Sequence, residues 1–540
     1  MLRLLTASLL ATSALAATAA EWQNRTIYQL VTDRFATPDG SGPPCDTGDR
    51  KYCGGTWKGI ISKLDYIHDL GFDAVWISPV VANLEGNTTD GQAYHGYWTQ
   101  DINSLNSKFG TADDLKALSA ALHNRSMYLM VDVVVNHMVS NSDPPDYSNF
   151  TPFSKESNFH PECFITDYTN QTDVEQCWLG DKDVPLADLN TEADDVVSSL
   201  NSWIKGLVSD YAIDGLRIDT VKHVRKDFWP GFVSSAGVFT IGEVLHEEPS
   251  YLAPYTKVMD SLLDYPAWFT LTAAFKNNTG NLTALATTVW QSQASYLSGE
   301  LMVGSFLENH DQPRFQSLTQ DSSLIKNAMA WPFVQDGIPI LSHSSERIGA
   351  DHHSYPGQEQ GYTGGGDPSN REALWYSGYI EDKPLVTHVK ILNEARRLAI
   401  AANTSFLTTA ALLYAVSEST LAVSKPPLLA LLTNVGNIST AATTWNVPDA
   451  GYPANEVLVD VLTCNKVTAD NSGGVLVHAT SGEPQVLLPT SALSASGSIC
   501  SNLAAQGQSS SALRNVVASA LPVGIAVALV FFVSQLTFDF

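Results

Sequence analysis

A chain of 540 residues is long enough for one large domain and a second, smaller one. Its formal net charge of −26 argues against nucleic acid or an anionic membrane surface as electrostatic partner and suits a neutral substrate. Beyond that the acidity does not discriminate, since a protein working at mildly low pH would carry the same bias.

Residues 1–20 have the layout of a secretory signal peptide, with Arg3, an apolar run from Leu4 to Leu15 and small residues up to Ala20. Nine N-x-S/T sequons follow, at Asn24, Asn87, Asn124, Asn149, Asn170, Asn277, Asn281, Asn403 and Asn437. Six cysteines, an even number, fit the same oxidising route. More than one pairing is open to them; their spacing suggests Cys45–Cys53, Cys163–Cys177 and Cys464–Cys500.

In chain order, Ile27 to Val31 reads as a first strand, Gly59 to Leu70 as an amphipathic helix and Ala74 to Val80 as a second strand. The second strand is apolar almost throughout, as a parallel strand buried on both faces should be. The aromatic loop Ala93 to Trp98 comes next; Tyr97, with His95 beside it, could stack on sugar rings, or the loop could simply be packed. Thr111 to Arg125 is a helix with Thr111 as N-cap and two acids in its first turn. A third strand, Met127 to Val135, ends on Asn136 and His137. The irregular excursion from Met138 to Leu189 is too long for a plain loop.

After a helix over Asn201 to Tyr211 comes Gly215-Leu-Arg-Ile-Asp-Thr-Val-Lys-His223. Alternation puts Arg217 and Asp219 on one strand face, where the cation favours the ionised carboxylate. Taken alone, this pair reads as readily as a structural ion pair. Two further strand ends, at Glu243 and at Asp311 of Phe306-Leu-Glu-Asn-His-Asp311, also carry acids. Acids at the ends of several strands fit the face where parallel-barrel enzymes build their sites. Asp336 to Leu341 is the last barrel strand, and residues 342–354, with His343, His352 and His353, follow it. From Asn403 short apolar strands between turn residues indicate an antiparallel β domain ending near Cys500. Ser509 to Ser511, a spacer and an apolar tail from Val523 to Phe538 have the layout of a GPI-attachment signal rather than a spanning helix.

Asp132-Val-Val-Val-Asn-His137, the Gly215–His223 segment, Gly242-Glu-Val-Leu245 and Phe306–Asp311 resemble, in order, the signature regions of the α-amylase family of retaining glycoside hydrolases. The resemblance runs from about Gln29 to Ile499 and is closest to the secreted fungal members. It implies a (β/α)8 TIM barrel with a small domain inserted after strand 3 and a C-terminal antiparallel β-sandwich. The expected division is a signal peptide over 1–20, barrel over 21–137 and 190–402, inserted domain over 138–189 and β domain over 403–500. A linker with the attachment site over 501–511 and an anchor signal over 512–540 complete it.

The resemblance also implies roles: Asp219 as nucleophile, Glu243 as general acid/base and Asp311 as stabiliser of the transition state. It implies sugar contacts from His95, Tyr97, Trp98, His137, Arg217, Lys222, His223, His310, Asp367 and Arg371. A Ca2+ ion would be held by Asn136, Glu175, Asp188 and the backbone oxygen of His223, tying the inserted domain to the fourth strand. The same three disulfides are implied, whereas a further bridge usual in fungal members is missing, since Tyr251 to Tyr255 contains no cysteine. The expected activity is endo-hydrolysis of α-1,4-glucans by a monomer at the cell surface, held by a GPI lipid. A 4-α-glucanotransferase is the alternative, disfavoured by the presence of both His137 and His310. An inactive, wall-anchored binding protein is a second alternative, disfavoured because all three acids are present.

Overall fold

The structure, a computed structural model, describes residues 17–343, 358–437, 443–479, 481–493 and 499–501. Most of the expected signal segment, all but the start of residues 342–354, and the expected linker and anchor signal beyond residue 501 lie outside the described residues.

Eight parallel strands form the catalytic-size domain: β1 Ile27–Leu30, β2 Ala74–Ile77, β3 Tyr128–Val133, β4 Gly215–Ile218, β5 Phe239–Gly242, β6 Ser261–Leu262, β7 Gly304–Phe306 and β8 Ile338–His343. They pair in the order β6-β5-β4-β3-β2-β1-β8-β7, and the parallel bridge Leu263–Gly304 brings the two ends together as a barrel.

Strand periodicity sorts the side chains into two cores. Val75 and Ile77, Leu129 and Val131, and Leu216 and Ile218 face the surrounding helices. Their alternates, Ala74 and Trp76, Met130, and Phe239 and Ile241, fill the barrel interior with Phe306, Ile338 and Ile340. The same alternation sends Asp132 and Arg217 inward, and the β3–β4 register sets them side by side. Below them, Trp22 closes the barrel floor, stacked on Phe239 at 5.1 Å. A Cβ on residue 215 would lie 2.6 Å from the Trp22 ring, so the strand that carries Arg217 must begin with glycine there.

Two expected elements differ. The helix over Gly59 to Leu70 is two short helices, Trp57–Ser62 and Leu64–Asp69, which meet at Lys63 with its φ of −122°. Strand β7 is only Gly304–Phe306, preceded by a 3-10 turn over residues 299–302, and Asp311, expected at the strand end, stands on the loop beyond it.

Between β3 and the helix Asp194–Tyr211, the inserted segment forms a small antiparallel sheet of His137–Val139, Pro185–Asp188 and Leu179–Gly180. Disulfide Cys163–Cys177 staples this segment; Cys45–Cys53 and Cys464–Cys500 are the other two, as expected. The C-terminal domain is a six-stranded antiparallel sheet facing a two-stranded one. Its central strand Leu428–Thr433 is buried on both faces, and alternation explains the apolar run. Leu429 and Leu431 pack with Trp445 and Val477 inside the sandwich, whereas Leu428, Ala430 and Leu432 belong to the core shared with the barrel. Lys425 pairs with the buried Asp336, which precedes β8, and fastens the two domains with charge.

Candidate active site

The centre of the site is one guanidinium. Arg217 is fully buried on β4, and its nitrogens lie 3.0 Å from Asp132, 2.7 Å from Asp219 and 3.1 Å from Glu243. Each partner arrives by strand geometry. Asp132 sits beside Arg217 on β3, while Asp219 and Glu243 are the first residues beyond β4 and β5. Thr220 then takes a left-handed turn, φ 51°, a conformation costly for a β-branched residue. That turn aims its amide at Glu243 Oε2, 3.1 Å away. Tyr265 OH donates to the other carboxylate oxygen at 3.3 Å.

Sequence reasoning expects Arg217 to hold Asp219 ionised, and in the structure burial opposes that pull. Burial pushes the Asp219 carboxyl well up, and Glu243, Asp132 and Asp311 add to this against the pull of Arg217. One cation is divided among three carboxyls, so its effect on any one of them is diluted. Burial also raises Asp132 to about 6, opposed by Arg217 and by hydrogen bonds from Tyr97 and Trp76.

Above the cluster opens a cleft of about 480 Å³. Of the expected residues, His95, Tyr97, Trp98, His137, Asp219, Glu243, Asp311, Asp367 and Arg371 all line it. Arg371 joins two of the acids, lying 3.0 Å from Asp311 and 3.2 Å from Asp367. The Tyr97 ring lies parallel to His310 with centroids 5.1 Å apart, and its hydroxyl donates to Asp132 at 2.7 Å. Burial lowers His95 and His310 well below the usual histidine range and His137 to about 4, so all three are neutral hydrogen-bonding groups at ordinary pH.

Four expected contacts stand back from the lining. Arg217 lies beneath the cleft, and His310 is buried behind Tyr97 with its Nδ1 2.6 Å from Gln29. Lys222 donates to the Leu245 carbonyl at 3.0 Å, tying the ends of β4 and β5 together. His223 turns its Nδ1 to the Val174 carbonyl of the inserted domain at 3.1 Å. Sequence reasoning missed Asp132, Tyr265 and Gln29 as supports, and also the lining residues Arg50, Asp90, Tyr94, Leu179 and Leu186. Asp132 alone left a usable signal: counted in twos from Met130, it faces inward toward Arg217.

Comparison with known proteins agrees with this geometry. Residues 29–386 match the family described as "Alpha amylase, catalytic domain", and residues 413–508 match "Alpha-amylase, domain C". "Alpha-amylase 1" of Lipomyces kononenkoae is 46% identical over 90% of this chain and 76% of its own length. "Alpha-amylase 1" of Schwanniomyces occidentalis is 44% identical over 89% of this chain and 92% of its own. The solved structure of an α-amylase from Malbranchea cinnamomea superposes with a TM-score of 0.85 at 44% identity, covering 90% of this chain and all of that one. The chain belongs to the α-amylase family of glycoside hydrolases.

Proposed function

We propose that in this α-amylase-type glycoside hydrolase, which cleaves α-1,4-glucans, Asp219 is the nucleophile and Glu243 the general acid/base. The sharing of Arg217 by both carboxyls supports this reading, since a retaining mechanism needs its two carboxyl groups only ~5–5.5 Å apart. Asp219 attacks the anomeric carbon while Glu243 protonates the departing glycosidic oxygen. Glu243 then takes a proton from water, whose oxygen displaces Asp219. Asp219 attacks as the carboxylate, and Arg217, 2.7 Å away, stabilises that charge. Asp311, fixed by Arg371, binds sugar hydroxyls and offsets the positive charge that develops on the ring. The Tyr97 ring, backed by the parallel ring of His310, forms the floor on which that sugar stacks.

Digestion of maltooligosaccharides followed by proton NMR tests the reaction. Shorter α-glucans that appear first as the α-anomer are expected. Initial β-anomer would exclude the double displacement, and dominant products longer than the substrate would make the protein a transferase.

Enzymes of this family generally bind calcium, and the residues present here fit that ion. The Asn136 Oδ1 and Asp188 Oδ2 oxygens are buried without a hydrogen-bond partner, and a hard cation takes such ligands. Burial raises Asp188 to about 7, a shift that an adjacent divalent charge would reverse. No group of three His, Cys, Asp or Glu side chains converges on a metal site among the described residues, but the proposed set is mixed. Asn136, Asp188, Glu175 and the His223 carbonyl would hold the ion, and its charge would fasten the inserted domain to the loop after β4. Excess EDTA is expected to lower the Tm, because a ligand bound only by the native state stabilises it by mass action. An unchanged melting curve in protein shown to lose its metal would count against the site.

The reading extends to location. A signal peptide followed by small residues, a spacer and a removable apolar tail supports secretion and a GPI lipid anchor for a monomeric enzyme. Among the described residues no helix is long and apolar enough to cross a membrane. Phosphatidylinositol-specific phospholipase C is expected to release active enzyme from intact cells. A mature protein that retains a peptide containing Phe531 and Phe532 would contradict the anchor.

A further inference from the structure

A second cavity, about 850 Å³ and so larger than the catalytic cleft, lies between the helices Tyr265–Phe275 and Leu282–Ser295 and the segment 247–250. Phe269, Ala273, Ala284 and Ala294 give it an apolar wall, and Glu247 and Gln291 supply polar groups at its edge. Asn281 is also part of the lining, and Asn281-Leu282-Thr283 is one of the nine sequons.

Asn281 is the N-cap of its helix. Its Oδ1 accepts from the amides of Thr283 at 2.8 Å and Ala284 at 3.2 Å, while its Nδ2 makes no hydrogen bond among the described residues. Glycosylation replaces one hydrogen on Nδ2 and leaves Oδ1 untouched, so the cap and the modification are compatible. Asn403 differs: it is half-buried, and its Nδ2 donates to the Pro426 carbonyl at 2.8 Å.

We propose that Asn281 carries an N-linked glycan whose first N-acetylglucosamine residues lie in this cavity, against Phe269, instead of projecting into solvent. The donor is a lipid-linked oligosaccharide diphosphate. Nδ2 bonds to its anomeric carbon, the anomeric C–O bond breaks, the lipid diphosphate leaves with the electron pair and Nδ2 gives up one proton. An open cavity with an apolar wall and a polar edge suits amphipathic sugar rings, whose apolar faces pack on an aromatic while their hydroxyls reach water and Gln291. Tethering makes the packing intramolecular, so a weak contact suffices to keep the cavity covered.

The test uses the full chain secreted from a fungal host that attaches high-mannose glycans. Site-resolved mass spectrometry is expected to find Asn281 occupied. Native endoglycosidase H treatment should strip the glycan at the exposed Asn149 at least about tenfold faster than the one at Asn281, a difference that vanishes after denaturation. Thr283→Ala abolishes the sequon but keeps the Asn281 cap, and is expected to lower the Tm by about 2 °C. Thr283→Ser should restore both glycan and Tm, and unglycosylated wild type and Thr283→Ala should melt together. An unmodified Asn281, or native release as fast as at Asn149, would overturn the proposal, as would equal Tm values for the two secreted forms.

Discussion

Asp219→Asn is expected to lower turnover on α-1,4-glucans by at least three orders of magnitude, about 4 kcal/mol of barrier. The asparagine keeps the shape of the side chain but has no anionic oxygen to attack the anomeric carbon. Stability should change little, because two effects oppose each other. The variant loses the 2.7 Å ion pair with Arg217, and it loses a carboxyl that burial and three neighbouring acids already strain. Circular dichroism and a melting curve would establish that the fold survives, and turnover above a tenth of wild type would contradict the assignment.

Arg217→Met is the companion with a different signature. Here the cation disappears and Asp132, Asp219 and Glu243 are left facing one another, with Asp132 and Asp219 buried. Removing one member of a buried ionic cluster typically costs about 3–5 kcal/mol, so both stability and activity should fall. Adding Asp132→Asn should recover part of the stability, since one of the orphaned charges goes, but none of the activity. Denaturant melts and kcat measured on the three proteins would separate the effects. A methionine variant as stable and active as wild type would show that Arg217 is neither structural nor catalytic.

These two variants also mark what could be read from the sequence. The placement of Arg217 and Asp219 at the end of an alternating strand was legible from Gly215-Leu-Arg-Ile-Asp, and so was the strand end at Glu243, whereas the strand before Asp311 stops at Phe306. What was not legible was how many carboxyls share the arginine. That depends on the β3–β4 and β4–β5 registers, which set Asp132 and Ile241 beside Arg217 and which no single strand reveals. For the same reason the burial and the neighbouring acids that oppose an ionised Asp219 could not be foreseen. Trp22 was likewise unreadable as the barrel floor, because its partners Tyr128, Gly215 and Phe239 are far away in the chain. The single helix expected from Gly59 to Leu70 has one continuous apolar face, and its break at Lys63 leaves no mark in that pattern. The run Leu428 to Leu432 was legible as a buried strand, but its burial on both faces follows only from the barrel packed behind it.

The central claim is that Asp219 forms a covalent bond to the sugar, and trapping that bond tests it most directly. A fluorinated α-glucosyl fluoride slows both chemical steps, and its good leaving group lets the glycosyl-enzyme form faster than it breaks down. After denaturation and trypsin digestion, mass spectrometry of Ile218-Asp-Thr-Val-Lys222 is expected to show one added glycosyl group, with fragmentation placing it on Asp219. The label on Glu243, on Asp311 or on any other residue would contradict the account.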